Sequence, residues 1–144
     1  MEEISESAVQ GARDLRVVFS RLRRRLKDLA TGDDLTPSQT AVLTRLWKEG
    51  ASSTSALAGA ERVRPQSMAT IVAALEGHGL IRRTPDPDDS RRQVITLTKD
   101  GRKRAESDRH AREEWLARAL HDQFSERERR VIVEALSLLQ RLTE

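Results

Sequence analysis

Residues 53–98 read STSALAGAERVRPQSMATIVAALEGHGLIRRTPDPDDSRRQVITLT. This stretch contains two helical segments followed by two β-prone segments. Ser53 is a preferred N-cap residue, and Pro65 suits the first position of a helix, where its missing N–H costs nothing. The helix after Ser53 carries Ala56, Leu57 and Ala60. The helix after Pro65, ending at Gly77 to Gly79, carries an inward apolar side, formed by Met68, Ile71, Val72 and Leu75. Two short helices in tight succession predict a helix-turn-helix.

The second half of this stretch predicts a β-hairpin. Leu80 to Thr84 and Val94 to Thr98 are β-prone, and the residues between them, PDPDDS at 85–90, are typical of turns. We call this hairpin the wing and expect a charged tip.

Upstream, residues 36–39 read TPSQ, which predicts a helix start with a reciprocal capping box between Thr36 and Gln39. Gly50 is expected to end this helix. Its apolar stripe consists of Val42, Leu43, Leu46 and Trp47.

The segment before it predicts one long helix with a heptad seam, which needs a partner helix. The seam consists of Ala8, Ala12, Leu15, Phe19, Leu22, Leu26 and Leu29, and Gly32, Asp33 and Asp34 break the pattern.

Downstream of the wing, Thr98 is suited to cap a long helix that runs to about Leu120, and Ser125 with Glu128 forms a capping box for a last helix. That last helix has apolar residues at helical spacing, namely Val131, Ile132, Ala135, Leu138, Leu139 and Leu142. A chain of 144 residues offers little surface to cover these faces, so we expect a homodimer.

The predicted fold class is therefore mainly α with a small β-hairpin wing, as a winged helix-turn-helix plus a helical dimerisation region. We expect one domain over 1–144. Its winged lobe covers about 36–98, and its dimerisation region covers about 5–31 and 99–144.

Charge is unevenly distributed although the net charge is only +3. Between Arg13 and Lys27 seven basic residues face one acidic residue, and between Arg82 and Arg104 eight face four. Concentrated positive charge is typical of a surface that binds a polyanion.

Several other classes of protein are disfavoured. The start of the chain lacks a targeting segment and no later segment has the apolar length of a membrane span, so we expect a cytoplasmic protein without a membrane partner. The absence of cysteine excludes disulfides and thiolate metal sites. His78, His110 and His121 are isolated, so we expect no enzyme activity, no metal site and no cofactor.

The tip of the wing contains Asp89-Ser90-Arg91, and Val94-Ile95-Thr96-Leu97-Thr98 and Gly101 follow it. This pattern resembles the wing motif of the MarR family of bacterial regulators. Further matches at the family's spacing are Leu57-Ala58, Val63, Leu75 and Gly79-Leu80. The resemblance implies that the first, fifth and sixth helices build a dimer. It also implies that a small anionic aromatic compound or a lipid-like effector binds between the dimer and the DNA-binding lobes.

In the wing, a guanidinium at a turn tip is suited to the narrow minor groove, and a nearby carboxylate is suited to hold it. We assign insertion to Arg91 and orientation to Asp89, against the alternative of a solvated turn. Arg82, Arg83 and Arg92 are candidate phosphate contacts or, equally, solvated residues.

In the fourth helix, Gln66, Ser67 and Thr70 are expected to face outward near its N-terminus, where side chains reach major-groove bases. Gln66 is suited to adenine and Thr70 to a thymine methyl. Arg64 stands where the family usually has a capping serine and Thr70 where it often has an arginine. These departures put the base preference in doubt, and Arg64 is a candidate phosphate contact. Exposed polar residues without a role are the alternative.

Candidate residues for the effector pocket are Arg16, Phe19, Trp47 and Trp115, with ordinary packing as the stronger alternative. The function predicted from all these features is sequence-specific regulation of transcription on double-stranded DNA. The regulator is expected to be a repressor that acts as a homodimer on an inverted repeat and is released by an effector. A helical protein-interaction module without specific DNA binding is the alternative.

Overall fold

A computed structural model describes residues 2–29 and 34–144. Over these residues the chain is mainly helical with one antiparallel hairpin, which confirms the predicted fold class. The elements are α1 (Glu6–Leu29), α2 (Pro37–Glu49), α3 (Thr54–Glu61), α4 (Pro65–Gly77), β1 (Ile81–Pro85), β2 (Gln93–Leu97), α5 (Lys99–Gln123), α6 (Glu126–Leu139) and a 3₁₀ turn (Gln140–Leu142).

The chain divides into two compact units, Met1–Arg109 and His110–Glu144, with the boundary inside α5. The predicted grouping of 5–31 with 99–144 into one dimerisation region stays a prediction, and the helix break predicted at Gly32 and Asp33 lies outside the described residues. Among the described residues, no helix has both the length and the apolar composition of a membrane span.

The predicted helix starts are confirmed by their capping hydrogen bonds. The Thr36 hydroxyl accepts from the Gln39 N–H at 3.2 Å, and the Gln39 side chain accepts from the Thr36 N–H at 3.1 Å. Ser125 and Glu128 form the same reciprocal pair at the start of α6. Ser53 accepts from the Ala56 N–H at the start of α3. Each cap satisfies a backbone donor that the helix itself leaves without a partner.

The α3–α4 connection is short because Arg62 adopts the left-handed conformation, with φ 56°, and closes α3 directly. Pro65 then occupies the first turn of α4. Of the apolar residues of α3, Leu57 and Ala58 are buried, whereas Ala56 and Ala60 are exposed. A helix of eight residues presents only a narrow face to its neighbour, and two adjacent positions fill that face here.

The wing pairs Ile81 with Leu97 and continues to Pro85 with Gln93. β1 lies one residue later than predicted and β2 lies one residue earlier, and each shift has a local cause. The Leu80 N–H donates to the Leu75 carbonyl, so Leu80 belongs to the turn that ends α4. Thr98 in turn belongs to the cap of α5, because its hydroxyl accepts from the Gly101 N–H at 3.0 Å.

The core of the first unit lies between α2, α3, α4 and the wing. Val42, Leu43, Leu57, Met68, Val72, Leu75 and Ile95 are its most deeply buried large side chains. Trp47 and Ile71, which the sequence predicts as inward, are partly buried against this core.

The beginning of α5 is fixed to the same unit by several contacts. Ala105 is buried, and Arg104 forms a two-bond ion pair with Asp34, at 3.0 Å for each bond. The Arg109 guanidinium lies over the Trp47 ring, 5.0 Å from its centroid. The N-terminal part of α5 is thus an extension of the winged lobe.

In the second unit, α5 ends at Gln123, three residues beyond the predicted Leu120, and α6 begins directly after Ser125. Arg129 joins the two helices. Its guanidinium donates to the carbonyls of Leu120, His121 and Phe124. Basic groups at the C-terminal end of a helix satisfy its last carbonyls and complement its dipole.

Two helices carry apolar side chains that the described protomer leaves exposed. Neither α1 nor α6 contains a buried residue. On α1, Val18 and Phe19 are both 61% exposed, and on α6, Leu136 is 56% and Leu138 58% exposed. Large contiguous apolar surfaces mark interaction sites in soluble proteins.

Candidate nucleic-acid interface

The exposed side of α4 carries the residues that the sequence predicts to meet DNA. Met68, Val72 and Leu75 are buried, which leaves Gln66, Ser67 and Thr70 exposed on the other side. Arg64 is the N-cap residue and is also exposed, and its side chain makes no capping hydrogen bond. The structure thus brings all four candidates to the N-terminal half of one helix surface.

The orientation of Thr70 is fixed by a bond within α4. Its hydroxyl donates to the Gln66 carbonyl at 3.2 Å. Because the donor is used inside the helix, Thr70 has only a methyl group and an acceptor oxygen to offer a base. Gln66 keeps a side-chain amide with both donor and acceptor groups.

At the wing tip, Asp89 organises the backbone. Its carboxylate accepts from the Arg91 backbone N–H at 3.0 Å, and its carbonyl accepts from the Arg92 N–H at 3.0 Å. We predicted that the Asp89 carboxylate holds the Arg91 guanidinium, but the bond that the structure shows is to the main chain. An aspartate two residues before its partner closes an Asx turn, and this geometry directs the carboxylate to the backbone.

A second Asx turn precedes the first. Asp86 accepts from the Asp88 N–H at 2.9 Å, and the Asp86 N–H donates to the Arg92 carbonyl. The tip is therefore an ordered turn that presents Arg91 and Arg92, both exposed.

Arg82 and Arg83 differ in the structure, although each was predicted to be either a phosphate contact or a solvated residue. Arg82 is exposed. Arg83 lies on the face of β1 that includes the buried Ile81, and it forms a bidentate ion pair with Glu76 of α4, with N–O distances of 3.1 and 2.9 Å. The Arg83 guanidinium is thus paired with Glu76, and both side chains remain partly exposed to solvent.

This ion pair also affects protonation. The hydrogen bond from Arg83 holds the pKa of Glu76 below its usual value, and the same bond raises the pKa of Arg83. The hydrogen bond from Arg104 likewise lowers the pKa of Asp34. Both carboxylates remain charged near neutral pH.

Glu76 is a residue of this site that we did not predict from the sequence. A signal was present, because Glu76 and Arg83 are oppositely charged and flank the glycine-containing turn at Gly77 to Gly79, where the chain reverses direction. Arg109 was not predicted either. Its contact with Trp47 depends on the packing of α5 against α2.

The four candidate effector residues occupy different environments. Arg16 and Phe19 are exposed on α1, and Trp47 is partly buried under Arg109. Trp115 is partly buried in the second unit. The contact of Trp47 is ordinary packing within the lobe, and an effector pocket formed by these residues stays a prediction.

Comparisons with known proteins agree with this geometry. The model of the MarR family matches residues 35–93, which include α2, α3, α4 and most of the wing. An HTH-type transcriptional regulator of Mycobacterium tuberculosis is 37% identical over 115 residues, which are 80% of this chain and 80% of that protein.

Solved structures match over almost the whole chain. A proposed transcriptional regulator from Pseudomonas aeruginosa superposes with a TM-score of 0.83 at 35% identity, over 97% of both chains. A MarR family protein from Bacillus stearothermophilus superposes with a TM-score of 0.75 at 26% identity, over 99% of this chain and 100% of that one.

Proposed function

The chain belongs to the MarR family of helix-turn-helix transcriptional regulators, and we propose that it represses transcription as a homodimer bound to an inverted repeat in double-stranded DNA. One observation carries the proposal: a single packed lobe carries both the exposed polar N-terminal half of α4 and an ordered hairpin tip with exposed arginines. The relatives are transcriptional regulators, so a helical module without specific DNA binding does not account for the family match.

We assign α4 to the major groove. Its exposed residues lie at its N-terminal half, the part of a recognition helix that contacts base edges in this class of motif. Gln66 is suited to form two hydrogen bonds with adenine, and Thr70 offers its methyl group to thymine. Arg64, at the cap, is suited to a phosphate.

We assign the tip of the wing to the minor groove. A narrow minor groove concentrates negative potential and attracts arginine. Arg91 is exposed at the tip, and the Asx turn at Asp89 fixes the main chain from which its side chain extends. Arg92 and Arg82 are exposed nearby in sequence and are suited to phosphates.

The exposed apolar side chains of α1 and α6 support the proposed dimer. A second copy would remove these side chains from water, at about 25 cal/mol per Å² of apolar surface buried. A two-fold dimer places two identical recognition helices on one side of the duplex. We therefore expect half-sites about one helical turn apart.

The test begins with the genomic fragments that the purified protein retains, which are sequenced to identify the repeat. Affinity for that duplex and for its single-base variants is then measured for three substitutions. Arg91→Ala should weaken binding to all duplexes together, whereas Gln66→Ala should cost about 1–3 kcal/mol mainly at one base position. Asp89→Ala should resemble a milder Arg91 loss, and Asp89→Asn should be tolerated because asparagine also closes an Asx turn.

Arg127→Ala serves as the matched control, because Arg127 is exposed on α6 outside the lobe and its loss removes the same charge. Wild-type affinity should also fall by roughly a thousandfold between about 50 and 200 mM salt. Unchanged affinity for Arg91→Ala would reject the minor-groove assignment. A protected site without two-fold symmetry would reject the dimer on an inverted repeat.

A further inference from the structure

The ion pair between Glu76 and Arg83 joins the two parts of the lobe that the proposed function assigns to different grooves. Glu76 lies in the last turn of α4, and Arg83 lies in the middle of β1. The two parallel N–H to oxygen bonds of this pair fix its geometry more strictly than a single contact would.

The Glu76–Arg83 pair contacts the wing at some distance from its base. At the base, the Thr98 hydroxyl donates to the Gly79 carbonyl at 2.6 Å, and the Thr98 N–H donates to the Leu80 carbonyl. Arg83 lies further out along β1 and stands opposite Ile95 in the register.

At this same level the other strand is also fixed. Ile95 exchanges two backbone hydrogen bonds with Ser52, at 3.1 and 2.7 Å. Glu76 thus holds β1 and Ser52 holds β2 at one level of the hairpin. Beyond it, the hydrogen bonds shown for the described residues at 84–93 stay within the wing, at its strands and its tip.

We propose that the Glu76–Arg83 pair sets the position of the wing relative to the recognition helix, so that both are positioning residues for DNA binding. The inference rests on the proposed function. It gives Arg83 a role that neither of its two predicted options includes, because Arg83 acts through Glu76 and not through a phosphate or as a solvated residue.

The charges of Glu76 and Arg83 allow a positioning role to be distinguished from a direct contact with DNA. Removing a carboxylate from a polyanion-binding lobe strengthens binding when only electrostatics act, because one repulsive charge is lost. Freeing Arg83 from Glu76 would add a second gain by the same reasoning. If the pair positions the wing, Glu76→Gln weakens binding despite the favourable change in charge.

The experiment measures affinity for the preferred duplex with Glu76→Gln, Arg83→Met and the double variant, with Arg82→Met as the matched control. Glu76→Gln should lose about tenfold in affinity. Because both residues act through one contact, the double variant should bind no more weakly than the weaker single variant. Arg82→Met should lose affinity as a phosphate contact does, with a salt dependence reduced by about one unit of slope.

Footprinting on the same complexes provides a readout that general destabilisation would not give. Glu76→Gln should lose hydroxyl-radical protection in the minor groove at the wing positions and keep guanine protection in the major groove at α4. Urea unfolding of each variant, without DNA, should show that all are folded under the binding conditions.

Affinity of Glu76→Gln equal to or above wild type would overturn the inference, as would additive losses in the double variant or a uniform loss of protection in both grooves. Failure of the wild-type protein and of Arg82→Met to bind any duplex is a different result. It would overturn the proposed function itself, together with the inference that rests on it.

Discussion

Replacing Gly101 with alanine should separate the start of α5 from the turn between α4 and β1. A Cβ at position 101 would lie 1.8 Å from the Leu80 carbonyl oxygen and 2.8 Å from its carbon, whereas ordinary contact begins at about 3.4 Å. The obstacle is main chain and not the mobile end of a side chain. It is also held in place, because the Leu80 carbonyl accepts from the Thr98 N–H at 3.1 Å.

The loss in the free energy of unfolding can be estimated from the groups that must move. Forcing a carbon into a filled site costs about 1–3 kcal/mol. Lifting α5 also stretches two hydrogen bonds of this junction, from the Thr98 hydroxyl to the Gly79 carbonyl and from the Thr98 N–H to the Leu80 carbonyl, each worth about 1 kcal/mol. Together these terms give about 3–5 kcal/mol, a large part of the roughly 5–15 kcal/mol that stabilises a typical domain.

Urea unfolding followed by circular dichroism measures this loss, and Gly59→Ala is its matched control. Gly59 lies in α3 with nothing within 4 Å of an added Cβ, so the same chemical change should stabilise the protein by about 0.5–1 kcal/mol through helix propensity. A Gly101→Ala protein within about 1 kcal/mol of wild type would refute the reasoning, because the junction would then have room that the geometry denies.

Leu138→Asp should convert the proposed dimer to monomers, since Leu138 is 58% exposed in the protomer and a carboxylate there harms only a protein that buries this position. Sedimentation at micromolar concentration checks this, with Leu138→Met as control, and a wild-type monomer would contradict the premise. The unfolding free energy should also fall as the pH is lowered. The folded-state pKa values of Asp34 and Glu76 are lowered by their arginine partners, and that of Glu128 by the Ser125 N–H. Their stabilisation is complete above the ordinary values of 3.8 and 4.5 and is lost as the pH falls through the lowered ones. Urea unfolding from about pH 6 to about pH 3 should therefore show a smaller loss for Glu76→Gln than for wild type.

The helix starts were predictable from sequence because each depends on residues three positions apart. Thr36 with Gln39 and Ser125 with Glu128 form their bonds within one turn, so local spacing contains the needed information. The buried face of α4 follows from the helical period in the same way. Fold class and family rest on these local features and on the wing motif.

Features that depend on packing between elements were not predicted. The inward side of α3 is set by which of its positions meets α4, so Ala58 is buried where Ala56 and Ala60 are exposed. The bond of Asp89 to the backbone is a different case, because it is local and joins residues only two positions apart in an Asx turn. The ion pair of Arg104 with Asp34 joins residues 70 positions apart, and no local pattern indicates it.

The two neighbouring arginines of β1 show where a local rule would have been sufficient. Adjacent residues of a strand point to opposite faces, so burial of Ile81 places Arg83 on the inner face and Arg82 on the outer one. A partly buried guanidinium needs an acceptor, and Glu76 is the carboxylate across the preceding turn. Alternation must therefore be applied to charged residues as well as to apolar ones. The basic residues of the wing that the fold leaves exposed are Arg82, Arg91 and Arg92, and a count of positive charges along the sequence does not distinguish them from Arg83.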